Sequence, residues 1–94
     1  MHVAFSDRDP VYDGEDYEVR FLVWVDHAEV ECAITAEALE DHFGASSALE
    51  GPLLEAFAQA RGRIEAVCAQ ALERNGGQPV ILHSGVVRML LAAD

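Results

Sequence analysis

The stretch EVRFLVWVDHAEVECAIT, residues 18–35, restricts this chain more than any other segment. It holds two runs of alternating apolar and polar residues joined by a short polar link, the pattern of a β-hairpin with one buried face. Side chains on a strand alternate between faces, so a one-residue slip would move a whole apolar set into water. With His27 and Ala28 as the two central turn residues, Asp26 pairs with Glu29, Val25 with Val30, Val23 with Cys32 and Phe21 with Ile34. Every apolar residue of the second strand then faces an apolar residue of the first. His-Ala is poor turn chemistry, because two-residue hairpin turns favour residues that accept a positive φ. A longer loop that keeps the faces aligned satisfies the pattern equally well. The other face of the hairpin carries Glu18, Arg20, Leu22 and Trp24 on one strand and Glu29, Glu31 and Ala33 on the other.

The remaining segments read outward from this hairpin. HVAF is a short strand with Val3 and Phe5 on one face, and SDRDPVYDGEDYE is a polar loop with Pro10 and an Asp13-Gly14 turn signal. Its acids do not form a calcium loop: the ligand spacing is absent, and Arg20 stands where the closing glutamate belongs. Thr35 is suited to cap a short helix in which Ala36, Leu39 and Phe43 share a face, while Glu37, Glu40 and Asp41 point outward. Gly44 suits the position just past its end. A linker then leads to Pro52 at the first position of a long helix ending near Arg74. Leu53, Phe57, Ala60, Ile64, Val67 and Ala71 recur at spacings of four and three, widened by Leu54, Cys68 and Leu72. Asn75-Gly76-Gly77 closes that helix, and PVILHS reads as a last strand. Residues 85–94 either continue this strand past a bulge at Gly85 or form an apolar tail.

Charge narrows the function classes. Seventeen acids against six bases, all arginine, give a net charge of −11. A field of that sign repels nucleic-acid phosphates and anionic membrane surfaces. No window approaches the roughly 18 apolar residues of a membrane span, and the first residues lack the pattern of a secretory signal. The two cysteines are therefore expected as free thiols in a reducing cytoplasm, and the absence of lysine suggests a GC-rich bacterial genome.

The chemically capable residues are few. Cys32, Cys68, His2, His27, His42 and His83 form no C-x-x-C or H-x-x-x-H pattern, so neither a metal nor a cofactor is expected. Cys32 sits between Val30 and Ile34 on the apolar face and Cys68 within the helical stripe, so both read as small buried hydrophobes that touch if the long helix lies over the hairpin. A ligand or nucleophile site built from Cys32 and His42 would need an accessible thiolate, whereas core burial and nearby acids oppose one. Arg61, at the edge of the stripe, is expected to reach a carboxylate. The stronger signal is apolar surface: Leu22 and Trp24 on the outer face of the hairpin, with Val87 and Met89 in the C-terminal segment. These four are the interface candidates for a homodimer or a protein partner, unless the C-terminal segment folds back over Trp24.

The order VECAIT, AEALEDHFG, LLEAFAQARGRIEAVCAQALE, VILHS, with Phe57, Arg61 and Ile64 in an F-x-x-x-R-x-x-I pattern, resembles a family of short bacterial proteins described only as a domain of unknown function, DUF1488. The resemblance implies a small cytoplasmic α+β domain and no activity. The expected architecture is a single α+β domain over residues 1–94, in the order β-β-β-α-α-β. Its antiparallel sheet has three or four strands, with the hairpin in the middle and a short and a long helix on one face. The expected role is a non-catalytic cytoplasmic interaction or regulatory module that self-associates. The alternative is a minor enzyme or small-ligand-binding protein with its site near Cys32 and His42.

Overall fold

A computed structural model describes residues 1–92. The fold is α+β. The elements are β1 (Val3–Phe5), β2 (Val11–Asp13), β3 (Glu18–Val25), β4 (Ala28–Thr35), α1 (Ala36–His42), α2 (Glu50–Arg74), β5 (Ile81–Leu82) and α3 (Ser84–Ala92). The sheet has five strands in the order β1-β3-β4-β5, with β2 also on β3, so the hairpin lies in the middle as the alternation requires.

The hairpin register differs from the expected one by two residues. Val25 pairs with Ala28, Val23 with Val30, Phe21 with Cys32 and Val19 with Ile34. A shift of two leaves every side chain on its face, so hydrophobic alternation cannot tell the two registers apart. Turn chemistry can. The central residues are Asp26 and His27, and Asp26 takes φ 56°, a left-handed conformation that Asp tolerates better than most residues. Asp26 is also held from the side: its N–H donates to the His2 carbonyl at 2.7 Å, and its carboxylate accepts from the His2 N–H at 2.9 Å.

The polar loop contains a strand that its composition hid. β1 and β2 both pair antiparallel with β3, β1 against Val23–Val25 and β2 against Glu18–Arg20. They form one edge strand interrupted at residues 6–10, where the chain loops outward past Pro10. Short, charged, broken strands are a common way to protect a sheet edge from unwanted pairing. The Asp13 carboxylate then accepts from the N–H groups of Glu15 and Asp16 at 3.0 and 3.2 Å, which turns the chain back into β3.

At the other edge β5 runs parallel to β4, with Ala33 opposite Ile81 and Ile34 opposite Leu82. The sheet is therefore mixed rather than wholly antiparallel. The chain between β4 and β5 is a helical crossover, and a strand that returns by such a route enters from the same end as the one that left. Thr35 caps α1 as expected, its hydroxyl accepting from the Ala38 N–H at 3.1 Å. α2 begins at Glu50, two residues before the expected start, and ends at Arg74. Beyond it Gly77 has φ 83°, and a Cβ there would lie 3.0 Å from Val25 Cγ1, so this turn requires glycine.

Residues 84–92 are neither a strand nor a tail but a helix, α3, with Val87 and Leu90 buried. A short apolar run after a glycine is ambiguous by periodicity alone. What selects the helix is an apolar site between α1 and α2 that only a helical spacing fills. Residues 93–94 lie outside the described part of the chain. The core sits between the inner sheet face (Val19, Phe21, Val23, Cys32, Ile34) and the helices (Leu39, Leu53, Phe57, Ile64, Val67, Cys68, Leu72, Val87, Leu90), all buried. Phe21 and Phe57 meet across it with ring centroids 5.3 Å apart.

Candidate functional site

Cys32 and His42 engage different partners. Cys32 points from β4 into the core, where its thiol meets that of Cys68 on α2, and both residues are buried and free of disulfide. The neighbouring Cys68 thiol and, more weakly, the Val80 backbone favour the charged form of Cys32. Burial and the Glu31 charge act in the opposite sense, and the balance leaves the Cys32 thiol below its ordinary range. Cys68, beside Cys32 and buried, is pushed well above the usual thiol range.

His42, the last residue of α1, faces the first residue of α3. Its Nε2 lies 3.1 Å from the Ser84 carbonyl oxygen and 3.2 Å from Ser84 Oγ, while the Ser84 hydroxyl donates to Asp41. A carbonyl can only accept, so Nε2 carries the proton. An imidazole in that tautomer has no lone pair aimed at the serine and cannot take its proton. Asp41, His42 and Ser84 thus tie the end of α1 to the start of α3. The spacing of these residues in the chain gave no sign of the tie. The only local hint was Ser84, a residue suited to a helix start, just before the ambiguous apolar run.

Two arginines organise the polar face and edge. Arg20, on the outer face of β3, contacts Asp13 at 2.6 Å, Asp16 at 3.1 Å, Glu18 at 3.2 Å and Glu31 at 3.4 Å. The Asp13 carboxyl falls below its usual range because the Asp16 and Glu15 N–H groups and Arg20 favour its charged form. Among the described residues, Asp13, Asp16 and Glu18 bring their carboxylate oxygens within 4.8 Å of one another, but Arg20 already supplies the positive charge of that cluster. Arg61, on α2, reaches a carboxylate as expected, with Nε 3.2 Å from Glu65, and it also donates from Nη2 to the carbonyls of Ser6 and Arg8 at 2.7 and 3.3 Å. It thereby pins the interruption between β1 and β2 to the long helix.

The interface candidates separate in space. Leu22 is half-buried and Trp24 is 40 % exposed, side by side on the outer sheet face opposite Glu31 and Glu29. Val87 is fully buried beneath α3, and Met89 is exposed on that helix. α3 packs with α1 and α2, so it does not cover Trp24. Met89 instead borders an apolar groove of about 330 Å³ lined by Ala71, Val80, Leu82, Val86 and Leu90. A second cavity, about 270 Å³, opens beside β5 and is lined by Glu18, Arg20, Glu31, Cys32, Pro79 and Val80.

None of the described helices is long and apolar enough to cross a membrane. No curated protein and no solved structure matches the chain. A family model does, over residues 3–82, a span that runs from β1 through β5 and leaves α3 outside it. The chain therefore belongs to the family described as "Protein of unknown function (DUF1488)".

Proposed function

We propose that the protein is a small non-catalytic interaction module of a bacterial cytoplasm that self-associates through the outer face of its sheet, centred on Trp24. The observation that carries this reading is the pair Leu22 and Trp24 side by side on a sheet face that none of the described helices covers, with Trp24 40 % exposed. Tryptophan on a flat face is a frequent interface anchor, and burying a large apolar side chain there contributes about 1.5–3 kcal/mol. The net charge of −11 opposes self-association, and beside Trp24 it is offset only in part: Arg8 lies 3.9 Å from Glu29, and Arg20, shared with Asp13, Asp16 and Glu18, lies 3.4 Å from Glu31. Self-association is therefore expected to strengthen with salt, which screens the remaining acids. Two free cysteines support the reducing compartment, and the all-arginine set of bases supports the bacterial source.

The test is size-exclusion chromatography with light scattering on the wild type and on Trp24→Glu. The wild type elutes as a dimer and the variant as a folded monomer, with affinity reduced by roughly 30-fold or more for a hot spot of about 2 kcal/mol. A wild type that stays monomeric across the concentration range refutes the proposal.

A further inference from the structure

We propose that Asn75-Gly76 is a self-modifying site: the Gly76 nitrogen closes on the Asn75 side chain, and the succinimide that forms opens to isoaspartate, which loosens the turn that seats β5. Asn75 is the single asparagine of the chain, and two glycines follow it. Asparagine before glycine is the least hindered setting for this ring closure, because glycine has no Cβ to crowd the attacking nitrogen. The fold leaves the reacting parts open. Asn75 and Gly76 are both exposed at the C-terminal end of α2, and a Cβ placed on Gly76 would meet nothing within 4 Å. The Asn75 N–H donates to the Ala71 carbonyl and the Gly77 N–H to the Leu72 carbonyl, but the Gly76 N–H between them has no acceptor among the described residues. Asn75 has ψ 16°, so closure needs a rotation about that bond. Two ties resist it: Gly77 to Leu72 at 2.8 Å, and Asn75 Nδ2 to the Gln78 carbonyl at 3.1 Å in an exposed bond. Both lie where the helix ends, and helix ends open at low cost. The chain's one Asp-Gly sequence, Asp13-Gly14, is held differently. The Asp13 carboxylate accepts from the Glu15 and Asp16 N–H groups and contacts Arg20, which keep it ionised and a poor electrophile.

The step balances without an oxidant or a cofactor. The deprotonated Gly76 nitrogen attacks Asn75 Cγ; an N–C bond forms, the bond from Cγ to Nδ2 breaks, and Nδ2 leaves as ammonia after taking up a proton. Water then adds to one of the two ring carbonyls and breaks its bond to the nitrogen. Opening at the main-chain carbonyl routes the chain through Cγ, as isoaspartate with a free α-carboxylate; opening at Cγ gives aspartate. The sum is one amide and one water giving one carboxylate and one ammonium. Isoaspartate adds a methylene to the backbone in a turn with little slack. A Cβ on Gly77 would lie 3.0 Å from Val25 Cγ1, and a few residues on the Val80 carbonyl accepts from the Ala33 N–H at 3.0 Å to seat β5 on β4. The new carboxylate also stands at the negative end of the α2 dipole.

The experiment incubates the native wild-type chain at neutral and mildly alkaline pH, beside the urea-unfolded chain and Asn75→Gln. Intact mass, peptide mapping and methyl transfer by an isoaspartate-specific carboxyl methyltransferase are followed with time. Because asparagine is thermolabile, the expected native result is a mass higher by about 1 Da, reached faster at the higher pH, with isoaspartate at Asn75 and none at Asp13. Asn75→Gln keeps its mass, and amide exchange at Ala33 and Leu82 quickens in the modified chain. Three results overturn the proposal. One is a native chain that keeps its amide while the unfolded chain loses it, which means that the fold protects the site. Another is a product that is aspartate alone, which means direct hydrolysis without ring closure. The third is an isoaspartate chain with unchanged exchange at Ala33 and Leu82, which removes the link to β5.

Discussion

Replacing Arg61 with alanine should destabilise the protein by about 2 kcal/mol, because this side chain joins the interrupted edge of the sheet to the long helix. A hydrogen bond from a charged donor contributes about 1.5–3 kcal/mol. Arg61 makes one short bond, 2.7 Å to the Ser6 carbonyl, and a longer one, 3.3 Å to Arg8. The Glu65 partner, one turn along the helix, adds about 0.3–0.5 kcal/mol, and the guanidinium 5.6 Å from the Phe57 ring centroid adds about 0.5–1 kcal/mol. The sum exceeds 2 kcal/mol, but the side chain is 30 % exposed, and water replaces part of what the carbonyls lose. In a domain of this size the expected change is a fall in Tm of about 8–16 °C. Urea unfolding followed by Trp24 fluorescence measures it, since Trp24 pairs with Ala4 of β1. Hydrogen exchange should quicken first at residues 6–10. Arg61→Lys keeps the charge but not the fork, and should cost about half as much. A loss below about 0.5 kcal/mol in Arg61→Ala would refute the reasoning and leave the F-x-x-x-R pattern without a structural cause.

Two further outcomes follow from the geometry. Ser84→Ala removes the hydroxyl between Asp41 and His42, and should cost about 1–2 kcal/mol while speeding amide exchange in α3 ahead of the sheet; equal exchange in α3 and the wild type would show that Ser84 does not hold the helix. Cys68→Ala removes the thiol that favours the charged form of Cys32, so the thiolate titration followed by ultraviolet absorbance should move up toward 9.0. A titration midpoint unchanged in Cys68→Ala refutes the contact.

Much of the fold was legible in local pattern. Alternation placed Val19, Phe21, Val23, Cys32 and Ile34 on the buried face, and the four-and-three spacing of Leu53, Phe57, Ala60 and Ile64 placed the inner face of α2. Thr35 and Gly44 marked the ends of α1. The hairpin register was missed because a two-residue shift preserves both faces, so the decision passed to the φ tolerance of Asp26. β2 was missed because three residues between charged flanks carry no periodic signal, and Val11–Asp13 becomes a strand only by finding the free edge of β3. α3 was missed because the β-branched Val86-Val87 pair favours a strand locally and Gly85 disfavours a helix, while the space between α1 and α2 favours a helix.

The candidate sites divide the same way. Residue types and spacing by themselves determined that Cys32 and Cys68 belong to the core and that Trp24 belongs to the opposite face, since burial follows period and period is local. Which groups meet was decided only by the tertiary structure. Cys32 found Cys68, His42 and Asp41 found Ser84, and Arg61 found the carbonyls of Ser6 and Arg8. Each of these contacts joins segments well separated in the chain, and no local preference encodes the partner. They form because packing one apolar face against another brings these polar atoms together, where an unpaired polar group would be costly.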